Sequence, residues 1–444
     1  MINKKLSLLY SLMVIPVSGA GMPVFVYILP YYANELALGL TAVGVIFFCG
    51  RFLDIFTDPL MGFFVDRYQT KKYKHKHWII ISVPLVIFSA YMIFFPISEF
   101  VNNFYLFLGL FLLYTSFTLL VITQLSWSVT LAPNYDNRTN LLTLRELMSL
   151  VSMFIVITIP AIIEIYTPSM TAKINGIGWF LCIFSPVILI IAVNNLPDHS
   201  TVESVRSFKS SLNVFKGFIT YLDLNRVTIV STLIAFGQSL TGALFIIVVD
   251  SIFELDTYAS RAMLAYFLVS VIGLWFWRTL SLKYSKHQSL AACCIYASTI
   301  LMISYLGYES YLQLSLNYQI FYLFVFVIVY GFSFSGPVPL INSMIGDLAE
   351  NHKIKKGEDI SGSIYAYVTT ITKLGFALAA AVPYILLEEF FGFKVELGPQ
   401  NSDSSKNILW NIYVFVPMFC YLISAVLIWS HPIKREVSEQ TNEI

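Results

Sequence analysis

Charge is scarce in this chain. Asp, Glu, Lys and Arg make up 12% of its 444 residues, against about 25% in an ordinary soluble domain. Hydrophobic residues make up 57%, more than a soluble surface can hide, so lipid is the solvent for most of the chain. Neither sign of charge dominates. A balance of 27 basic and 26 acidic residues leaves a net charge of +1, which offers no footprint for nucleic acid. The five cysteines (Cys49, Cys182, Cys293, Cys294 and Cys420) fall inside apolar runs without CxxC or metal-ligand spacing, and read as small buried hydrophobes. No Ser/His/Asp set, Gly-rich phosphate loop or nucleotide motif is present. These absences exclude an enzyme, and neither a cofactor nor a bound metal is expected.

What the chain has instead is long apolar runs. They lie at about 7–32, 40–65, 78–97, 103–131, 141–165, 176–196, 225–254, 259–282, 288–308, 317–345, 362–390 and 407–430, each long enough to cross a bilayer about 30 Å thick. The first begins like a secretory signal, with Ser18-Gly19-Ala20 as a possible cleavage site, but it continues to Tyr32 and reads as an uncleaved spanning helix. Lysine and arginine set the orientation. With both termini cytoplasmic, the outer side holds only Lys173, Arg261, Lys394 and Lys406, while the inner side carries the KKYKHKH run and most of the other basic residues. A cell membrane, and in a bacterium the inner membrane, is the expected location.

The longest polar stretch between spans runs from Asn194 to Asn225. It divides the chain into an expected six-helix half over 1–196, a cytoplasmic linker over 197–224 and a second six-helix half with a tail over 225–444. The end of span two, MGFFVDRYQTKKYKHKHW, is weakly echoed by the end of span eight, WFWRTLSLKYSKHQSL. Twelve spans in two repeated halves describe an all-α membrane protein of the major facilitator fold.

Charges inside the spans are few, and each costs about 2.5–3.5 kcal/mol at a helix centre unless a partner or water compensates. Arg51, Asp54 and Asp58 lie at i, i+3 and i+7 in span two, on one helical face that must look into protein or water. One arginine cannot neutralise two aspartates, so the excess negative charge suits a proton or Na⁺. Gly62 extends the stripe, and Asp66 and Arg67 close the span as a candidate cytoplasmic gate beside the KKYKHKH run, whose histidines have no metal spacing. Lys373 is a lone cation among small residues in span eleven. Trp127 in span four is flanked by Thr123, Gln124, Ser126 and Ser128, and Arg145 opens span five beside Glu146. A tryptophan beside hydroxyls and an amide can stack on a sugar ring; equally, it can sit in an interfacial aromatic belt. Glu164, Asp250, Glu388 and Glu389 lie near span ends and read as interfacial.

The stretch RFLDIFTDPLMGFFVDR resembles the second-helix signature of the glycoside–pentoside–hexuronide:cation symporter family, to which the melibiose permease belongs. Three other stretches carry the same resemblance: LSWSVTLAPNYDNRTNLLTLRE, SMIGDLAENHKIKKGEDISGSIYAYVTTITK and AYFLVSVIGLWFWRTLSLKYSKHQ. The resemblance implies a cation-coupling site at Asp54 and Asp58, supported by Arg51 and faced by Lys373. It implies sugar contacts at Trp127 and Arg145, with Thr123 and Gln124 beside them. It also exposes departures. The first span, VIPVSGAGMPVF, has no carboxylate, Thr123 or a near neighbour stands where the family has an aspartate, and Leu120 stands where it has a hydroxyl. Galactoside specificity therefore does not carry over, and a proton is the simpler coupling ion. The expected function is H⁺- or Na⁺-coupled transport of a polar solute, a sugar, glycoside or sugar acid, by a monomer whose partners are that small molecule and lipid. An exporter or antiporter using the same carboxylates, or a receptor that keeps this fold without transporting, are the alternatives.

Overall fold

The computed structural model describes residues 4–28, 31–38, 40–70, 72–167, 169–198, 217–255, 258–393 and 395–430, less the side chains of scattered residues within its helices, Arg51, Asp54, Glu164, Glu388 and Glu389 among them. Among the described residues the regular structure is helical throughout, with no strand. The principal helices are α1 (Lys4–Leu12), α2 (Ile15–Pro23), α3 (Leu40–Arg67), α4 (Lys76–Phe94), α5 (Asn103–Leu131), α6 (Tyr135–Tyr166) and α7 (Met170–Asn195). They are followed by α8 (Leu222–Ser251), α9 (Ala259–Lys283), α10 (Lys286–Tyr311), α11 (Leu316–Gly331), α12 (Pro337–Lys356), α13 (Ser361–Ile385) and α14 (Asp403–Trp429). Among the described residues each apolar run read from the sequence falls largely on helix, and eight helices are long and apolar enough to cross a membrane. Side chains outside the helices hold several starts: Asn102, Ser169, Ser285 and Ser402 each accept a hydrogen bond from a first-turn N–H.

Two expected single spans are broken. The first divides into α1, α2 and two π-helical turns, Val24–Ile28 and Tyr31–Glu35. Pro16 has no N–H to continue the α1 ladder. Ser152 of α6 donates to the Ile15 carbonyl at 2.9 Å, and Ser18 lies 2.6 Å from Ser149. A side chain at Gly19 would come within 2.8 Å of the Ser152 hydroxyl, so this glycine permits the close approach of α2 and α6. The tenth span divides into α11, which ends at Gly331, and α12, which starts at Pro337, with Phe332–Gly336 forming the turn between them. Its freed carbonyls are taken up by neighbours: Trp277 donates to Phe332 at 3.0 Å and Gln238 to Phe334 at 2.8 Å. Pro59, by contrast, sits inside α3 without ending it.

The chain gathers into two compact units. The first takes Met1–Thr220 together with Ile345–Thr370; the second takes Tyr221–Met344 with Ile371–Ile444. In the first unit α5 packs against α3 and α4, α4 against α7, and α6 against α1 and α2. Its apolar interior includes Phe47, Ile93, Leu110, Leu113, Val156 and Ile177. In the second unit α14 packs against α8 and α10, and α9 against α11. There Phe253, Tyr311 and Trp410 meet edge to face, and buried Tyr330 and Tyr421 bring their hydroxyls to 3.2 Å.

Candidate functional site

The ionic stripe of span two lies on α3, in the first unit. Asp58 is fully buried, and Thr118 of α5 donates to its Oδ1 at 2.9 Å. A carboxylate at this depth is tolerated only because neighbouring groups compensate it. The side chains of Arg51 and Asp54, the other members of the expected triad, lie outside the described residues. Leu120 is buried in an apolar cluster with Tyr10, Met13 and Trp127. The hydroxyl that does reach the stripe comes from Thr118, two residues earlier. A run of TSFTLLVIT offers several hydroxyls, and only the α3–α5 packing selects one.

A second group of expected residues forms a hydrogen-bonded set on α5, α6 and α1. Arg145 donates through Nε to the Gln124 Oε1 at 3.0 Å, and Gln124 donates through Nε2 to the Tyr10 carbonyl at 2.8 Å. The Tyr10 hydroxyl returns a bond to the Gln124 carbonyl at 2.8 Å. Tyr10 escaped the sequence reading because the search of the first span was for a carboxylate. Thr123, also buried, has a hydroxyl with no hydrogen-bond partner among the described residues. Trp127 stands apart from this set. It is fully buried, its indole N–H donates to the Pro197 carbonyl at 3.1 Å, and its ring stacks on His75 at 5.7 Å. In this arrangement the indole presents no face to a ligand.

The expected gate residues meet the segment that precedes α13, within the same unit. Both Asp66 carboxylate oxygens cap α13, accepting from the Gly362 N–H at 2.8 Å and the Ser363 N–H at 2.7 Å. Beneath that cap α3 and α13 cross backbone to backbone. A methyl on Gly62 would overlap Ala366 and stand 2.9 Å from the Gly362 carbonyl. Arg67 instead lies over the rings of Phe63 and Tyr68.

In the basic run after α3, expected as an orientation signal, Lys74 and His75 are both buried. Lys74 pairs with Asp359 at 2.8 Å, and Lys353 approaches the same oxygen at 3.4 Å. Burial alone would push the Asp359 carboxyl up, but the charge and hydrogen bond of Lys74, then Lys353 and Ser361, hold it well below the usual carboxylate range. Arg138, at the start of α6, pairs with Asp347 at 2.6 Å and Glu350 at 3.0 Å, both on α12. These partners sit in two stretches already notable in sequence, PNYDNRTN and GDLAENH, but separations of about two hundred residues hid their pairing.

Lys373 lies half-buried on α13 in the second unit, next to Thr372, whose hydroxyl is 3.0 Å from that of Ser231. Gly375, half a turn further, packs against Thr232 of α8. Asp250 ends α8, where its carboxylate lies close to Gly398. No group of three or more His, Cys, Asp or Glu side chains is placed to hold a metal ion among the described residues.

An all-helical chain with spanning helices and charge placed inside them is built as a multi-pass membrane transporter. A profile of the MFS/sugar transport protein family matches residues 9–435. The chain belongs to that family, within the major facilitator superfamily, and is a secondary transporter, not an enzyme. Its fold is also that of solved transporters of distant sequence. The Escherichia coli fucose:proton symporter is similar at 14% identity and TM-score 0.64, over 97% of this chain and 99% of that one. A bacterial homologue of the iron transporter ferroportin, in an outward-facing state, is similar at 11% identity and TM-score 0.71, over 97% and 99%. The proton:xylose symporter bound to 6-bromo-6-deoxy-D-glucose is similar at 13% identity and TM-score 0.62, over 96% and 94%.

Proposed function

We propose that the protein is a cation-coupled symporter of a polar solute, a sugar, glycoside or sugar acid, related to the glycoside–pentoside–hexuronide:cation branch. The single observation that carries this reading is Asp58, fully buried within a spanning helix and hydrogen-bonded by Thr118. A proton or Na⁺ entering from outside neutralises the Asp54/Asp58 stripe, with Arg51 as its cationic counterweight. A carboxylate oxygen beside a threonine hydroxyl can hold either ion, and a proton needs fewer ligands. Each cation moved inward down 100 mV contributes about 2.3 kcal/mol, enough for roughly fiftyfold accumulation.

The solute site is assigned to Arg145, Gln124, Thr123 and Tyr10, which together offer a guanidinium, an amide and hydroxyls to a hydroxylated or anionic ligand. Trp127 is reassigned from sugar platform to closure, because its donor and one ring face are already occupied. The Asp66, Lys74 and Arg138 contacts close the cytoplasmic end of the first unit and must break for release inside. Both termini are taken as cytoplasmic, in the inner membrane if the cell is bacterial.

The test has two stages. Purified protein is screened by thermal shift against sugars and sugar acids, with and without Na⁺, at two pH values. The solute found is then followed into proteoliposomes under an imposed proton or Na⁺ gradient. Stabilisation by a sugar or sugar acid, and uptake that follows one gradient, support the reading. No response to any sugar or sugar acid, or uptake indifferent to both gradients, overturns it.

A further inference from the structure

Asp198 lies in the polar connection that leaves α7, after Leu196 and Pro197, and 123 residues from its main partner. One oxygen of its carboxylate accepts from the backbone N–H groups of His75 and Lys76 at 2.8 and 2.9 Å, so it caps α4 from a distant part of the chain. The other lies 3.0 Å from His75 Nδ1. A carboxylate only accepts, so Nδ1 carries the proton, and the ring orientation is fixed. Nε2 then points to the Ser126 hydroxyl of α5 at 3.3 Å. With Nε2 unprotonated, Ser126 donates to it and in turn accepts from the Ser361 hydroxyl at the start of α13, 2.7 Å away, which shares its single proton with Asp359 at 2.9 Å. The Trp127 ring covers the imidazole, and its N–H bonds to Pro197, the residue before Asp198.

Among the described residues the charged groups around His75 are few. Asp198 faces it from the connection after α7, Lys74 and Lys76 flank it in its own segment, and Asp359 lies before α13 with Lys353 beyond; α5 contributes only the uncharged Ser126 and Trp127. Burial keeps the ring neutral, pushing its pKa down more than Asp198 raises it. The Asp198 contact is therefore a charge-assisted hydrogen bond from a neutral ring, the stronger kind of hydrogen bond.

We infer that Asp198 and His75 are positioning residues for the transport cycle: through Ser126, they make the connection leaving α7 hold the start of α13 against α5. Nothing in the pair touches the Asp58 stripe or the Arg145 set. The pair acts on closure alone, and this rests on the reading that the contacts before α13 open and close during transport.

Hydrogen–deuterium exchange of the full-length protein in lipid nanodiscs tests this without any substrate, so its outcome is independent of whether the coupling ion or solute has been assigned correctly. Two stretches are compared, the start of α4 over 76–80 and the start of α13 over 361–366. Asp198→Ala removes both the cap and the ring's anchor. Exchange is expected to rise roughly tenfold in both stretches, the effect of losing one charge-assisted hydrogen bond. His75→Ala is expected to raise exchange in the α13 stretch, and adding Asp198→Ala to it changes that stretch no further, because the effect passes through His75. His75→Gln, which keeps a polar group within reach of Ser126, is expected to restore part of the protection at 361–366. If Asp198→Ala fails to fold, Asp198→Asn is read in the same way, with a smaller rise in both stretches. A rise confined to 76–80, or effects of Asp198 and His75 that multiply at 361–366, would show a local helix cap and overturn the inference.

Discussion

The two units bury different kinds of matter. In the first, charges and amides are buried together: Asp58, Lys74, His75, Gln124, Arg138, Arg145, Asp198 and Asp347 are all nearly inaccessible. In the second, among the described residues, buried rings and hydroxyls such as Tyr311, Tyr330, Tyr413 and Tyr421 stand beside fewer buried ionisable groups, Lys286 and His287 at the start of α10, and the broken tenth span is secured by Trp277 and Gln238. Rings pack without regard to protonation, whereas buried charges depend on it. On the proposed reading, the ion-dependent chemistry and the gating belong to the first unit. That contrast can be broken by substitutions that ought to act on one unit and not on the other.

The largest expected effect is at Arg138. Arg138→Ala leaves Asp347 and Glu350 buried without their cation, a loss of about 3–5 kcal/mol, and should lower the thermal midpoint sharply and loosen α12. An unchanged melting curve would show the pair to be dispensable. Next is Asp58→Asn, which is expected to remove the gradient-driven part of accumulation, roughly fiftyfold at 100 mV for one coupled charge, while leaving the melting temperature near that of the parent. Gly62→Ala should follow, because its methyl overlaps Ala366. Overpacking of this kind costs about 1–3 kcal/mol, and faster exchange at the start of α13 with the α4–α5 core intact would report it. In the second unit, Trp277→Phe removes only the donor to Phe332. The expected loss is about 0.5–1.5 kcal/mol, seen in thermal stability with coupling untouched; a loss of ion dependence in this variant would contradict the division of labour.

The smallest effect sharpens the contrast by its absence. A depressed carboxyl pKa adds stability that is present above the ordinary value of about 3.9 and is lost only as the pH falls through its own lower value. Asp359 is so depressed. The stability difference between the parent and Asp359→Asn should therefore be nearly the same at about pH 7.5 and about pH 5. A difference that shrinks between those two values would mean that Lys74 does not hold this carboxylate as described.

Much of this was legible in the sequence, and for physical reasons. Apolar runs bounded by charge located the long apolar helices, since a bilayer demands apolar length. The i, i+3, i+7 spacing pointed to Asp58, which is buried. What the sequence could not tell was which loops meet. Asp66 with Gly362, Lys74 with Asp359 and Arg138 with Asp347 each join segments more than two hundred residues apart, and no helical period links them. The KKYKHKH run reads in sequence as a cytoplasmic orientation signal, and nothing in it shows that tertiary partners bury Lys74 and His75. Trp127 fits a sugar platform by its neighbours in sequence, but its partners in space are Pro197 and His75. The breaks in spans one and ten were written in Pro16 and in the Gly336-Pro337 pair, and were outweighed in the reading by uninterrupted hydrophobicity.

The claim on which the account turns is that Asp58 couples an ion to transport. The direct measurement sets gradient-driven uptake of the solute found by screening beside equilibrium exchange of the same solute, in proteoliposomes holding the parent or Asp58→Asn. The account predicts that the variant exchanges solute across the membrane but no longer accumulates it against a gradient of proton or Na⁺. Accumulation by Asp58→Asn equal to that of the parent would contradict it.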